Sequence, residues 1–467
     1  MRLEHCAESP LASASDRALP TVPGACTDPG QTDLPAPSHT NRVRPAFSPE
    51  SDGTGAPVSD RSAAVSSQRA IDPTSAGTSL RLLAPRGATA LRLRIAVLAP
   101  PWIPVPPGGY GGIEAVVDLL CEALVAHGHD VTLFAAPGSS STAHVHTLLE
   151  EPHPDTIGSA LHESDHVACA WAQAELAAAR GQPFDVLHDH SGFTALAMAD
   201  RVGVPVVHTI HGPFDRHTTR FYQRHGRTAT LVAISRSQAA SVPAGVRISA
   251  VVPNPIAVGR WPLMTQKQDY VLWIGRMAPV KGAHLAIEAA RLAGKNLVLA
   301  GPVQTGQEQY FREQIEPHVD GQLVRYVGEV AGAAKQRLYA NAQALLMPVR
   351  WPEPFGMVMI EALATGTPVI AFPEGAAAEI VIDGENGMLV SDELQMARAI
   401  DQVGATGAID SARCRASVAE RYDIAVTAAG YERVYRHAVG VERAPAALAR
   451  HIPSSGQVQA PRRSAHQ

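Results

Sequence analysis

Short apolar runs alternate with segments of helical spacing along this chain, and the alternation occurs twice. RIAVLAP (94–100) reads as a buried strand, and EAVVDLLCEALVAHG (114–128) as a helix closed by Gly128. HDVTLFAAP (129–137), FDVLHDH (184–190), VPVVHTIHG (204–212) and TATLVAIS (228–235) continue the strand series, with helical segments between some of them. The pattern restarts at YVLWIGR (270–276) and KGAHLAIEAARLAG (281–294). It runs on through KNLVLAGP (295–302), GQLVRYVGEV (321–330), AAKQRLYANA (333–342), ALLMPV (344–349) and TPVIAF (367–372). Strands this short and this apolar are covered on both faces, and alternating helices supply the cover. The expectation is two doubly wound α/β domains in tandem, 93–255 and 256–416, joined near the Pro-rich VVPNPIAVGRWP (251–262).

The flanks differ. Residues 1–92 are rich in Ser, Pro, Ala and Thr without periodicity, as in TDPGQTDLPAPSHT, and read as a disordered extension. LRLLAPRGATALRLR (80–94) carries four arginines and no acid. It is a candidate for weak peripheral contact with an anionic membrane, although Pro85 and Gly87 interrupt any helix, and a solvated linker is the plainer reading. A helical segment spans 417–440, and 441–467 reads as a flexible tail. The net charge of -5 speaks against nucleic acid as a partner. Five scattered cysteines without C-x-x-C argue against a disulfide framework or a zinc site, and fit a reducing cytoplasm. No run of about 18 apolar residues marks a membrane span, and no apolar h-region marks a signal peptide.

Ligands of open parallel sheets bind at the carboxyl ends of strands. Three stretches of the second domain fall there. Arg276 ends one strand and Lys281 opens the next helix, so two cations and a helix start suit a diphosphate. WPEPFGMVMIEALATGTPVIAF (351–372) places Glu353 in a loop and Glu361 eight positions on, in the following helix. Phe355, Gly356 and Met357 lie between them, where unpaired backbone N–H groups open the helix. A carboxylate beside free amides suits sugar hydroxyls, and one further along the helix suits a second hydroxyl pair such as a ribose. Gly328, Glu329 and Val330 end a strand and Lys335 to Leu338 begin the next helix, an arrangement that could form a base-sized slot. In the first domain PPGGYGGIE (106–114) supplies Gly109, Gly111 and Gly112 for close backbone approach. It is not G-x-G-x-x-G, and no acid ends the second strand, so a nicotinamide dehydrogenase is disfavoured. His211 ends a strand at the cleft. With it, His188, Asp189, His190 and His208 form a candidate metal cluster, disfavoured because strand residues alternate in facing, and no metal site is expected.

In this order and spacing, GGYGG, the histidine after T-I, GR…KG, VGEV, EPFGMVMIE with ALATGTPVIA, and GAAAEIV resemble the bacterial family 4 retaining glycosyltransferases over about 94–440. GGYGG and PVRWPEPFGMVMIEA look closest to a subgroup that includes antibiotic-oligosaccharide glycosyltransferases. The resemblance implies the GT-B fold, with two Rossmann-like α/β/α domains facing across a cleft and the 417–440 segment crossing back to the first. It implies that Arg276 and Lys281 neutralise a donor diphosphate and Glu353 with the Phe355–Met357 amides holds the donor sugar. By the same resemblance Glu361 binds the nucleotide ribose, Val327–Val330 lie near the base, the 108–112 loop closes over the phosphates, and His211 meets the sugar or the reacting centre. GAAAEIV departs from the Gly-Gly of many relatives, which leaves the role of Gly375 open while Glu379 stays in place. The implied activity is transfer of a hexosyl group from a UDP- or GDP-sugar to an acceptor hydroxyl with retention. No cofactor is expected beyond the nucleotide sugar as substrate, and no metal, since the second domain lacks Asp-x-Asp after a strand. The acceptor would be a glycan, a lipid-linked sugar or a small-molecule hydroxyl. A nucleotide-sugar epimerase and a non-catalytic sugar-nucleotide-binding partner are the alternatives. The first would need extra acid/base carboxylates, and the second is disfavoured by intact Glu353, Arg276 and Lys281.

Overall fold

The structure is a computed structural model and describes residues 92–406 and 409–440. The expectations for most of 1–92, most of the basic stretch 80–94, and 441–467 lie outside the described residues. The first sheet has strands β1 (Arg94–Leu98), β2 (Asp130–Ala135), β3 (His144–Thr147), β4 (Val186–Asp189), β5 (Val206–Ile210), β6 (Thr230–Ala233) and β7 (Ala250–Val251). They lie in the order β3-β2-β1-β4-β5-β6-β7, all parallel. The second sheet has β8 (Val271–Ile274), β9 (Leu297–Ala300), β10 (Val324–Tyr326), β11 (Leu345–Met347), β12 (Val369–Ala371) and β13 (Gly387–Leu389). Its order is β10-β9-β8-β11-β12-β13, again all parallel. Strand order therefore reverses between β1 and β4 in one sheet and between β8 and β11 in the other. The crevices at those two points are where the strands' carboxyl ends leave room for a ligand.

The inner strands of both sheets are buried on both faces. Ile95 and Val97 pack on one side of the first sheet with Leu120, Leu124 and Tyr431. Ala96 and Leu98 pack on the other with Val167, Trp171 and Leu187. The second sheet divides likewise, Leu272 and Leu345 facing one core and Trp273 and Leu346 the other. This two-sided burial gives near-continuous apolar strands in place of alternating ones.

Three strands, β3, β7 and β13, carry no such signal and were not expected. β3 is exposed along most of its length, and its sequence HVHT has no apolar run. The helix Ala160–Ala179 was not expected either, yet it buries His166, Val167, Ala170, Trp171 and Ala174 at helical spacing. The expected strand at 321–330 shortens to Val324–Tyr326, and Gly328 follows at φ 73°, outside strand geometry.

The described residues end on two helices, α1 (Ser411–Tyr422) and α2 (Ile424–Ala438). Cys414, Val418 and Tyr422 of α1 pack in the second domain, whereas Tyr431, Val434 and Tyr435 of α2 pack in the first. The crossing is pinned at the linker: Ile256 N donates to Tyr422 O (2.8 Å) and Ile424 N to Ile256 O (3.0 Å). Arg415 of α1 clamps the same linker. Its guanidinium donates to the carbonyls of Trp261 (2.7 Å), Ala364 (2.8 Å) and Val258 (2.8 Å). Arg415→Leu leaves those carbonyls without their charged donor and is expected to cost about 2–4 kcal/mol. The urea midpoint should fall accordingly, and an unchanged midpoint would show that water replaces the guanidinium without loss.

Candidate active site

The loops after β8 and β11 meet at the switch point of the second sheet. Lys281 closes a single turn, Pro279–Lys281, before the helix Ala283–Leu292. Its ammonium bonds to Glu353 Oε2 and sits 4.7 Å over the Trp351 ring. Trp351 Nε1 donates to the same carboxylate oxygen (2.8 Å). Glu353 is 8% exposed, so it depends on these partners. Two glycines bring the backbone in. Gly282 has φ 77°, and a Cβ there would lie 2.2 Å from Pro348 O. Gly375 has φ 57°, and its Cβ would lie 2.4 Å from Glu353 N and 2.2 Å from Glu353 O. Next to it, Ala376 N donates to Glu353 O (2.9 Å). Gly375 thus lets the 374–376 loop support the main chain that carries Glu353.

Glu361 lies on the helix Met357–Ala364, which opens from Gly356 at φ 87°. It is 7% exposed and fully engaged: Lys335 Nζ donates to Oε1 (2.6 Å) and the Tyr339 hydroxyl to Oε2 (2.7 Å). Both partners come from the helix Gly332–Asn341. Glu361 and Lys335 border a cavity of about 380 Å³ between the two domains, within the usual ~300–1,000 Å³ of small-molecule sites. Glu329, Val330 and Met357 line it from the second domain, and Gly109, Gly111 and Gly112 from the first.

The glycine loop reaches across the cleft. Tyr110 N donates to Glu329 Oε1 (2.5 Å), and Gly109 lies so close to that carboxylate that a Cβ would collide with it. The Tyr110 phenol lies against Arg276, whose guanidinium also donates to Gln304 Oε1 (3.2 Å). Glu379 makes a second crossing, accepting from the backbone N–H of Arg236 (2.8 Å) and Ser237 (3.1 Å). Behind the loop Glu114 is buried in the first turn of the helix Gly112–Ala126, and burial pushes its carboxyl up to about 7.

His211 follows β5 and is half-buried; its Nε2 lies 2.9 Å from His190 Nδ1. Burial holds its imidazole down to about 3, with the neighbouring His208 acting in the same direction. The histidines considered as a metal cluster bond to protein groups instead. His208 Nδ1 lies 2.5 Å from Asp189 Oδ2, and His188 is held by Tyr435 and Thr209. Among the described residues no group of three or more His, Cys, Asp or Glu is placed to hold a metal ion.

The structure brings Glu353, Lys281 and Trp351 together, and separately Glu361, Lys335 and Tyr339. Val327 is exposed and does not line the cavity. The Phe355 side chain is core, 5.6 Å from the Tyr422 ring, so only its backbone faces a ligand role. Trp351, Tyr339, Tyr110 and Glu114 were not singled out from the sequence. Trp351 stands two residues before Glu353, and that adjacency was a usable signal. Tyr339 is joined to its site only through the fold.

Comparison with known proteins gives two family matches. The description "Glycosyltransferase Family 4" matches residues 110–260, and "Glycosyl transferases group 1" matches 262–415. A glycogen synthase of Mycobacterium tuberculosis is 28% identical over 73% of this chain and 94% of its own length. A D-inositol 3-phosphate glycosyltransferase of Frankia alni is 29% identical over 73% of this chain and 97% of its own. Among solved structures, a glycosyltransferase involved in avilamycin A biosynthesis superposes with TM-score 0.56 at 27% identity, covering 74% of this chain and 98% of that one. A sucrose-phosphate synthase from Thermosynechococcus elongatus shares the fold with TM-score 0.63 at 21% identity, covering 74% and 99%.

Glu114 provides a test of this geometry. In the native state it keeps its proton up to about pH 7, against 4.5 ordinarily. The native state therefore binds the extra proton in that window, and stability falls as pH rises from 4.5 to 7. The loss is on the order of 3 kcal/mol. Glu114→Gln removes this dependence, so the variant should gain on the parent by that amount across the window in urea unfolding. A constant difference would show that Glu114 is hydrated.

Proposed function

Because this chain belongs to the family 4 glycosyltransferases, two-domain enzymes of the GT-B fold, we propose that it moves a hexosyl group from a UDP- or GDP-sugar to an acceptor hydroxyl with retention and without a metal ion. The observation that carries this reading is the pairing of two buried carboxylates with two lysines along one cleft, Glu353 with Lys281 and Glu361 with Lys335. Glu361 and Lys335 border the cavity and meet the ribose. Glu353 stands at the switch point and takes the sugar hydroxyls, together with the N–H groups at the start of the helix Met357–Ala364.

In the reaction the bond from the anomeric carbon to the phosphate oxygen breaks, and the bond to the acceptor oxygen forms on the same face. The acceptor proton passes to the leaving phosphate. Charge grows on that phosphate, and Lys281, Arg276 and the helix start at Ala283 are fixed cationic and dipolar groups that stabilise it. Tyr110 lies against Arg276 and its backbone against Glu329, so the glycine loop closes the cleft over the diphosphate. The acceptor is a hydroxyl of a glycan, a lipid-linked sugar or a small molecule. Free Cys121, Cys169 and Cys414 support work in the reducing cytoplasm.

A thermal-shift panel of UDP-, GDP-, ADP- and TDP-sugars with EDTA present tests the donor. One nucleotide class at a hundredfold excess over Kd should stabilise by ~2.7 kcal/mol. The shift should survive EDTA and shrink in Glu353→Ala. No shift with any donor, or one that requires a divalent ion, would contradict the reading. Retention is read separately, from the anomeric configuration of the product by NMR.

A further inference from the structure

The family resemblance gives His211 a contact with the donor sugar or the reacting centre, and the side chains behind it have no part in the reaction above. His190 Nε2 lies 3.3 Å from His188 Nδ1, and that nitrogen lies 2.7 Å from the Tyr435 hydroxyl. On its other side His188 Nε2 lies 2.8 Å from the Thr209 hydroxyl, itself 2.9 Å from the Tyr431 hydroxyl. A continuous hydrogen-bonded chain thus runs from α2, the helix that returns from the second domain, to the imidazole at the cleft. Every member except His211 is buried.

Burial holds His188 and His190 far below the ordinary histidine range, with the neighbouring imidazoles acting in the same direction, so both are neutral. A neutral imidazole has one N–H and one lone pair, so fixing one nitrogen fixes the other. Two orders of the chain are then self-consistent, each the reverse of the other. A phenol is the strongest hydrogen-bond donor in this set, and an imidazole nitrogen the strongest acceptor. The Tyr435 hydroxyl has no other partner among the described residues, so its contact with His188 is O–H···N. His188 then carries its proton on Nε2 and donates to Thr209. His190 donates its Nε2–H to the same Nδ1 as the weaker, 3.3 Å branch of a three-centred contact, since a bare Nε2 there would set lone pair against lone pair, and it accepts at its own Nδ1 from His211 Nε2–H. His211 is left with a bare Nδ1, which has no protein partner among the described residues. Each order leaves one buried phenol proton without an acceptor among the described residues, Tyr431's in this order and Tyr435's in the reverse, and this order is favoured because it alone sets a phenol O–H on an imidazole nitrogen, at 2.7 Å.

We propose that Tyr435, acting through His188 and His190, holds His211 as the Nε2–H tautomer, so that its Nδ1 lone pair accepts a hydroxyl of the donor sugar. This rests on the reading of His211 as a group that meets that sugar. Tyr435, His188 and His190 are positioning residues, and because Tyr435 sits on α2, the seating of the returning helix sets the hydrogen-bonding face of His211.

Imidazole NMR of the full chain labelled with 15N-histidine tests this, with His211→Gln identifying the signal. The parent should show His211 protonated at Nε2. Tyr435→Phe removes the phenol proton that opposes the reverse order, and should shift His211 toward Nδ1–H. In the same variant kcat/KM for the nucleotide sugar should fall about tenfold, the worth of one hydrogen bond, while affinity for the bare nucleoside diphosphate stays unchanged. An Nδ1–H tautomer in the parent, or the same tautomer in both proteins, would overturn the proposal whatever the activity. A shifted tautomer with undiminished sugar-nucleotide turnover would instead remove His211 from contact with the sugar, and the reading this proposal rests on would go with it.

Discussion

The bond between Lys281 and Glu353 is the contact around which the second domain's half of the cleft is built. Both groups are largely withdrawn from water, with side chains 17% and 10% exposed. Removing either would leave the other as an uncompensated charge. The fold commits much to placing them. Gly282 adopts a left-handed conformation so that the turn after β8 can pass Pro348, and Gly375 does so where its loop backs the main chain of Glu353. Trp351 donates to the carboxylate through its indole N–H and covers the ammonium with its ring. On the proposed function, a donor entering the cleft would meet a carboxylate and a cation whose positions are already set.

The two domains are tied together by a few polar crossings and one returning helix. Glu329 and Glu379 each accept from backbone N–H groups of the first domain, and Arg260 pairs with Glu122 at 2.6 Å. The surface pair contributes little. The Glu329 contact engages the glycine loop itself, so the position of the loop is tied to that of the second domain. The α2 helix adds a covalent route, because it follows α1 of the second domain through Asp423, hydrogen-bonds the linker at Ile256 and buries Tyr431 and Tyr435 in the first domain.

The inner strands of both sheets were legible because they are buried on both faces, and such strands read as apolar runs whatever their neighbours. β3 was not legible, because its residues are mostly in water and nothing in HVHT distinguishes strand from loop. Glu353 and Glu361 stood out as carboxylates in apolar surroundings. Their partners did not: Lys335 and Tyr339 are 26 and 22 residues from Glu361, and only the packing of two helices shows that both are needed to hold it. The histidine chain was less legible still. FDVLHDH and VPVVHTIHG raised a metal cluster only for it to be disfavoured, and they offered no other role for the histidines behind His211. Tyr431 and Tyr435, more than 200 residues away, supply the hydroxyls that complete a network of another kind.

The central claim is a division of labour, in which Lys281 reads the diphosphate and Glu353 reads the sugar. It is tested most directly by titration calorimetry of a nucleotide sugar and its bare nucleoside diphosphate against the parent, Glu353→Gln and Lys281→Met. The account predicts that Glu353→Gln binds the bare diphosphate at least as tightly as the parent, because the lysine is released, yet loses the added affinity that the sugar confers. Lys281→Met should weaken both ligands. Equal weakening of both ligands by Glu353→Gln would contradict the account, and would mean that the carboxylate holds the lysine in place and does not touch the sugar.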